Sequence, residues 1–252
     1  MTLIHRSPSA TTSRPHGCGP RAWLAAIATA LLGVSANAAI IIDNTVNGAI
    51  TNDFEGQTLG SQVGLVSETG ATYGERFEGQ TLSTAGGFDV LSGAPTAALN
   101  LLANDVATDN VGIVNAGSQV IFGDLNGEIG EGALSVLFDA ATDVFGFLLV
   151  GSNLSGEITV SFFGMAGIEL GTISQASSGG FFGFRATGGD LIRGVSITNT
   201  DPSGVGFDDV TFNALAVAEP NVLALIGLGV LGFSVTGRRT RLIGSRYAYG
   251  NM

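Results

Sequence analysis

The chain has 252 residues, a formal net charge of −11 and no lysine, and residues 39–219 hold all 21 acidic side chains against three arginines, a net charge of −18. This excess of negative charge repels nucleic acid and anionic membranes and attracts divalent cations or basic partners. Solubility alone is also a sufficient reason for such a charge. The same residues contain no Cys, His, Lys or Trp, which excludes a Ser-His-Asp triad, a Cys-His pair, a lysine Schiff base and a His- or Cys-ligated metal. Carboxylate catalysis and oxygen-ligated calcium remain.

The first 38 residues have the order of a secretory signal peptide. Their only charged side chains are arginines, and a short apolar run covers residues 23–34. Ala36-Asn37-Ala38 then fits a small-x-small cleavage motif. We therefore predict a signal helix within residues 1–38, cleavage after Ala38, and export of the protein.

Residues 39–217 are predicted to form one all-β domain, because short apolar, β-branched or Phe-rich runs recur with turn residues between them. About ten short strands at this spacing favour a two-sheet β-sandwich of jelly-roll type. The clearest predicted strands are Ala39–Ile42, Val111–Val114, Ser118–Phe122, Ala133–Phe138, Val144–Val150, Glu157–Phe163, Ile168–Ile173, Gly180–Phe184, Leu191–Thr198 and Val205–Phe212.

Two of these runs have distinct hydrophobic patterns. Residues Glu157–Phe162 alternate between polar and apolar side chains, which predicts a strand with one buried and one exposed face. Residues Val144–Val150 are almost continuously apolar, which suits a central strand covered on both faces.

The beginning of the domain is less regular. Residues 51–95 are rich in Gly, Thr and Ser and are predicted to be a long loop-bearing segment, and Leu99–Val106 is the best candidate for a short helix. The sequence Phe-Glu-Gly-Gln-Thr-Leu occurs at Phe54–Leu59 and again at Phe77–Leu82. Two copies are too few for a solenoid, so we expect a local duplication that forms two similar hairpin edges.

The last predicted strand contains Phe207-Asp208-Asp209-Val210-Thr211-Phe212, and the domain begins with an acidic segment that includes Asp53-Phe54-Glu55. These features resemble the galactose-binding-like jelly rolls. The resemblance implies a structural calcium ion that ties the first strand to the last, with Glu55 and Asp208 or Asp209 among its ligands, and calcium prefers such oxygen ligands. The alternative is that these carboxylates are solvated or cap turns.

Residues 218–241 have three parts in a fixed order, and residues 242–252 form a short tail after them. Glu219-Pro220 comes first, and the uncharged apolar run Val222–Val235 follows. The third part is a basic cluster of Arg238, Arg239 and Arg241. As a hydrophobic helix the apolar run is about 21 Å long, shorter than the hydrocarbon core of about 30 Å. It therefore suits temporary membrane retention, with the arginines on the cytoplasmic side.

This order resembles the PEP-CTERM sorting signal of proteins exported by Gram-negative bacteria, although Ala218 stands where that family usually has its first proline. The resemblance implies processing by an exosortase-type enzyme. It also implies a transient contact with the inner membrane through the C-terminal segment, followed by delivery to the cell surface or the extracellular space.

Three functions are consistent with these features. We expect an exported, non-enzymatic protein of the cell surface or extracellular matrix, without a nucleic-acid partner. A carbohydrate-binding module with structural calcium is the first alternative, and its partner would be an extracellular polysaccharide. A glycoside hydrolase that uses two carboxylates is the second. No catalytic residue is predicted, because 21 carboxylates always offer some suitable pair.

Overall fold

The computed structural model describes residues 39–215. The cleavage motif with Ala36 and Ala38 lies outside these residues, and so do the sorting residues Glu219, Pro220, Arg238, Arg239 and Arg241. Strands make up 55% of the described residues, and their only helix is a 3-10 turn at Ala107–Asp109, which confirms the all-β prediction. No helix in this part of the chain has the length and hydropathy of a membrane span.

Residues 39–215 contain nineteen strands, numbered in chain order. The first nine are β1 (Ala39–Ile42), β2 (Ile50–Asn52), β3 (Gly60–Ser61), β4 (Val66–Glu68), β5 (Ala71–Gly74), β6 (Arg76–Phe77), β7 (Thr81–Ala85), β8 (Phe88–Ser92) and β9 (Leu101–Leu102). The other ten are β10 (Val111–Asn115), β11 (Gln119–Leu125), β12 (Glu128–Ile129), β13 (Leu134–Thr142), β14 (Val144–Val150), β15 (Glu157–Phe163), β16 (Glu169–Ala176), β17 (Gly180–Thr187), β18 (Ile192–Asn199) and β19 (Gly206–Phe212).

Most strands belong to two antiparallel sheets. The first sheet has the order β1-β17-β14-β19-β11-β10-β3, with β2 paired to β19 and β12 paired to β11. The second sheet has the order β16-β15-β18-β13-β5-β4. Two small pairs, β6-β9 and β7-β8, lie outside both sheets. From β13 to β19 the chain crosses repeatedly from one sheet to the other, so both sheets contribute to one core.

Phenylalanine rings fill the space between the sheets. Phe145 and Phe184 come from the first sheet, and Phe138 and Phe162 come from the second; all four are fully buried. The ring centroids of Phe138 and Phe145 are 5.8 Å apart, and those of Phe162 and Phe184 are 5.1 Å apart. These contacts across the core stack the two sheets face to face in a β-sandwich-like arrangement.

Both strands with distinct hydrophobic patterns form as predicted. The strands β14 and β15 have the predicted bounds, and β14 lies between β17 and β19 as a central strand does. Strand β15 buries Ile158, Val160 and Phe162 in the core, while Thr159 and Ser161 lie on its other face. The alternation in the sequence therefore predicts the correct buried face.

The prediction of a short helix at Leu99–Val106 is wrong. Residues 101 and 102 form β9, which pairs with β6, and the 3-10 turn begins only at residue 107. Leu99 and Leu101 are both buried, and they pack with Phe77 and Phe163 in a small second cluster. Burial of alternate residues requires extended backbone, so tertiary packing overrides the helical preference of this run.

Residues 51–95 are not one long loop, because they include seven short strands from β2 to β8. Both copies of the repeat close a turn with the same hydrogen bond: the backbone nitrogen of Gln57 donates to the Phe54 oxygen at 2.9 Å, and that of Gln80 to the Phe77 oxygen at 3.1 Å. The turns differ in conformation, because Gly79 has a φ of 93° whereas Gly56 has no positive φ. Both phenylalanines are fully buried, but Phe54 lies in the core between the sheets and Phe77 in the second cluster. The two copies therefore anchor two different parts of the domain.

Candidate functional site

Glu55 and Asp208, two of the predicted calcium ligands, meet at Ser118 and Gln119, where β11 begins. A side-chain oxygen of Glu55 accepts a hydrogen bond from the backbone nitrogen of Gln119 at 3.0 Å. A side-chain oxygen of Asp208 accepts one from the Ser118 hydroxyl. Because Glu55 follows β2 and Asp208 lies on β19, this turn connects the beginning of the domain to its last strand.

Asp209, the third predicted ligand, has a strained backbone and a raised pKa. Its φ of 46° lies in the left-handed region, which is uncommon for residues other than glycine. Its backbone nitrogen donates to the Asp208 carboxylate at 2.8 Å. Burial raises the pKa of Asp209, and the negative charges of Asp208 and Asp53 raise it further. We call Asp53, Glu55, Asp208 and Asp209 the acidic junction.

The acidic junction meets only part of the requirement for calcium, which takes about six to eight oxygen ligands. Negative charge is concentrated there, and a cation would offset it. However, residues 39–215 contain no group of three or more acidic side chains arranged to hold a metal. Oxygens of Glu55 and Asp208 already accept protein donors. Calcium at these residues therefore stays a prediction.

Two rows of hydroxyl side chains cross the outer face of the second sheet. Thr159 lies opposite Thr198 in the first row, and Ser161 lies opposite Ser196 in the second. Both rows extend onto the neighbouring strands with Ser174, Thr172 and Ser135. Since the residues between them in β15 point into the core, the hydroxyls of this strand face away from it.

The β7-β8 hairpin lies beside these rows, with β8 against β18, and it closes one side of a cleft of about 200 Å³. We call this the hydroxyl cleft, and Glu169 is the only charged residue in its lining. The lining residues are Gln80, Leu91, Ser92, Gly93, Thr159, Ser161, Phe163, Glu169, Ser196 and Thr198.

Gln80 is fixed in position at the edge of the hydroxyl cleft. Its side-chain oxygen accepts from the backbone nitrogen of Phe77 at 2.9 Å and from the Ser196 hydroxyl at 3.2 Å. Ser196 also shares a hydrogen bond of 2.8 Å with the Ser135 hydroxyl, and both serines are buried. These contacts hold the polar lining in a defined arrangement before any ligand arrives.

The hydroxyl cleft was not predicted from the sequence. The alternation of Thr159 and Ser161 with buried residues was visible, and it gives the outward direction of their side chains. Gly86-Gly87 marks the turn of the β7-β8 hairpin, but two other parts of the cleft are long-range: the register that aligns β15 with β18, and the packing of the hairpin against β18. Periodicity along one strand does not encode such contacts.

Neither a protein-family model, nor a curated protein, nor a solved structure matches this chain. The acidic junction and the hydroxyl cleft therefore rest on the geometry of the chain itself. The resemblances to the PEP-CTERM signal and to galactose-binding-like jelly rolls rest on the residues quoted for them.

Proposed function

We propose that the protein is exported and non-enzymatic, and that it acts at the cell surface or in the extracellular matrix after processing of its PEP-CTERM-like segment. The observation that supports this most is that residues 39–215 by themselves complete both antiparallel sheets and the core between them. The last strand, β19, ends at Phe212, before Glu219. Cleavage at both proposed positions would leave all nineteen strands intact.

The first residue of the proposed mature chain is already part of the first sheet. Ala39 pairs with Thr187 at one end of the β1-β17 register. The Thr187 hydroxyl also donates to the Ala39 carbonyl oxygen at 2.8 Å. Signal removal after Ala38 would therefore leave a terminus that is held by backbone pairing and by a side chain.

We infer that the domain has jelly-roll connectivity. Its eight longest strands are β11 and β13 to β19, each of seven residues or more. Numbered one to eight, they have the order six-three-eight-one in the first sheet and five-four-seven-two in the second. This order is that of two interlocked Greek keys, the pattern of a jelly roll.

A non-enzymatic role agrees with the chemistry of the hydroxyl cleft. Glycoside hydrolases use two carboxyl groups on either side of the scissile bond, whereas Glu169 is the only carboxylate that lines this cleft. The described residues also contain no Cys, His or Lys for nucleophilic catalysis. These features favour binding or assembly over catalysis.

Cell fractionation with a matched pair of deletions tests the sorting proposal. Removal of residues 221–252 deletes the apolar run and the arginines, and it should change the location of the protein. Removal of residues 242–252 alone keeps the proposed signal, and it should leave the location as in the full-length protein. Equal fractionation of all three forms would refute the proposal. C-terminal mass spectrometry of the protein from its native envelope should find the chain ending near Glu219 and Pro220.

A carbohydrate-binding module with structural calcium is the second candidate. The observation that favours it is the convergence of Glu55 and Asp208 at Ser118 and Gln119. Calcium at this point would fasten the beginning of the domain to its last strand.

A further inference from the structure

We propose that the hydroxyl cleft binds a single uncharged sugar unit of a neutral polysaccharide. This proposal rests on the second candidate function, the carbohydrate-binding module, and gives it a binding site and a class of ligand. It is independent of the sorting signal, because the cleft lies wholly within residues 80–198.

The floor of the cleft presents hydroxyl groups in a fixed array. Thr159 shares a hydrogen bond of 2.9 Å with the Ser174 hydroxyl, and Ser161 shares one of 2.8 Å with the Thr172 hydroxyl. Each hydroxyl can donate once and accept twice, so these pairs keep free capacity for a ligand. The Thr198 hydroxyl makes no hydrogen bond with any described residue, and it lies beside Thr159 in the same row.

The walls add an amide and a carboxylate to this array. The Gln80 oxygen is engaged by two protein donors, which orients the amide, while its nitrogen donates to no described residue. One oxygen of Glu169 accepts from the Thr172 hydroxyl at 2.8 Å, and the other remains available as an acceptor. A ligand that both donates and accepts, as the hydroxyl groups of a sugar do, would match these walls.

The cleft also has a small apolar surface. Leu91 is half-buried and lines it, whereas Phe163 lies beneath with only 3% of its surface exposed. A sugar ring has hydroxyl groups at its edge and C–H groups on its faces, so it can use a mostly polar lining that includes one apolar side chain.

Size and charge narrow the class of ligand. At about 200 Å³ the cleft is smaller than the roughly 300–1,000 Å³ of drug-sized ligand pockets, which limits the ligand to about one ring. Residues 39–215 carry twenty acidic side chains and three arginines. This surface would repel uronic acid, sulfated or phosphorylated polymers. The ligand should therefore be neutral.

The test uses the purified, processed protein and two isosteric substitutions in the floor, Thr159→Val and Thr198→Val. Thr72→Val is the matched control, because Thr72 is a half-buried threonine on β5 of the same sheet and does not line the cleft. Each protein is titrated with neutral oligosaccharides of glucan, mannan, galactan and xylan, and with alginate and a sulfated glycan as anionic controls. Binding is measured by calorimetry, and the fold of each variant is checked by its melting temperature.

We expect one of the neutral oligosaccharides to bind. Each floor substitution should weaken that binding about fivefold, the value of one hydrogen bond, and Thr72→Val should leave it unchanged. If a threonine variant does not fold, Ser161→Ala takes its place. The proposal would be overturned if none of the neutral oligosaccharides bound, or if only the anionic glycans bound. It would also be overturned if the floor variants and the control variant bound with equal affinity. None of these results would change the outcome of the fractionation experiment, so the two proposals fail separately.

Discussion

Asp89 and Ala133 are joined by a hydrogen bond that leaves half of a buried carboxylate without a partner. One oxygen of Asp89 accepts from the backbone nitrogen of Ala133 at 2.9 Å, and the other has no partner among the described residues. Burial raises the pKa of Asp89 to about 6; the bond from Ala133 and the charge of Arg76 oppose this shift, and the charge of Asp109 adds to it. The carboxylate is therefore costly to ionise in the folded protein.

We predict that Asp89→Asn flattens part of the pH dependence of stability. Because the folded pKa of about 6 lies above the ordinary value of 3.8, the wild type should lose stability as the pH rises between these two values and stay less stable above them. Relative to the wild type, the variant should gain about 3 kcal/mol between pH 3.5 and pH 7. Urea denaturation at several pH values measures this, with the exposed Asp105→Asn as control. Parallel curves for Asp89→Asn and the wild type would contradict the prediction.

Asp201 is the opposite case, since its buried carboxylate is well supplied with donors. The hydroxyls of Ser152 and Ser177 donate to it at 2.7 Å each, and the backbone nitrogens of Asn153 and Ser203 donate at 3.3 and 3.0 Å. Burial raises the pKa of Asp201, but these four bonds outweigh it and lower the pKa. Its contribution to stability should be present near neutral pH and lost as the pH falls below the ordinary value.

We predict that Asp201→Asn destabilises the domain by about 2–3 kcal/mol at pH 7, because an amide nitrogen replaces an oxygen that accepts two hydroxyl donors. The difference from the wild type should shrink in acid, where the wild-type carboxylate becomes protonated. Chemical denaturation at pH 7 and pH 3 measures both effects, and Asp190→Asn serves as a less buried control. A loss of the same size at both pH values would show that charge plays no part.

The strands of the core were predictable from sequence, because each carries its own hydrophobic pattern. Strands β14 and β15 have the predicted bounds, and the β-branched and Phe-rich runs there agree with their burial. Strand β1 also has the predicted bounds, but the two- to five-residue strands β2 to β9 are too short to show a hydrophobic periodicity. The segment with Leu99 and Leu101 is a further example. Its extended backbone depends on pairing with β6, which lies far earlier in the chain, so the local sequence does not predict it.

The sites were predictable only in part. The resemblance to galactose-binding-like jelly rolls implied that Glu55 and Asp208 or Asp209 lie together, and the structure brings Glu55 and Asp208 to one turn. Ser118 and Gln119, which hold them, had no such signal, because a serine and a glutamine at a strand start are common. The hydroxyl cleft depends on register between strands, which is fixed by packing of the opposite faces of β15 and β18.

Phe147 should be among the most costly core positions to truncate. Its ring lies 5.4 Å from that of Phe182 in a stacked arrangement and 5.1 Å from that of Phe207 edge to face, and it is fully buried. We predict that Phe147→Ala lowers the free energy of unfolding by about 3–5 kcal/mol. Phe88→Ala, in the half-buried β7-β8 hairpin, should cost about 1 kcal/mol or less. Equal losses in a denaturant titration would show that the rings between the sheets are not the main core.

Calcium should raise the melting temperature if the acidic junction holds it, because a ligand that binds only the folded state stabilises it by about 2.7 kcal/mol at one hundred times its dissociation constant. Glu55→Gln and Asp208→Asn keep the size of each side chain and remove one negative charge, so each should reduce the response to calcium. Glu157→Gln is the matched control, since Glu157 is an exposed carboxylate at the start of β15. Magnesium is added in parallel, because it demands a smaller and more regular ligand cage than calcium.

Three outcomes separate the possibilities for this junction. A calcium-specific shift that only Glu55→Gln and Asp208→Asn lose would support a structural ion between the beginning of the domain and β19. A shift that Glu157→Gln loses equally would indicate general screening of an acidic surface. No shift in the wild type would refute calcium here. Ser118 and Gln119 would then be sufficient partners for these carboxylates, which agrees with the donors they already supply.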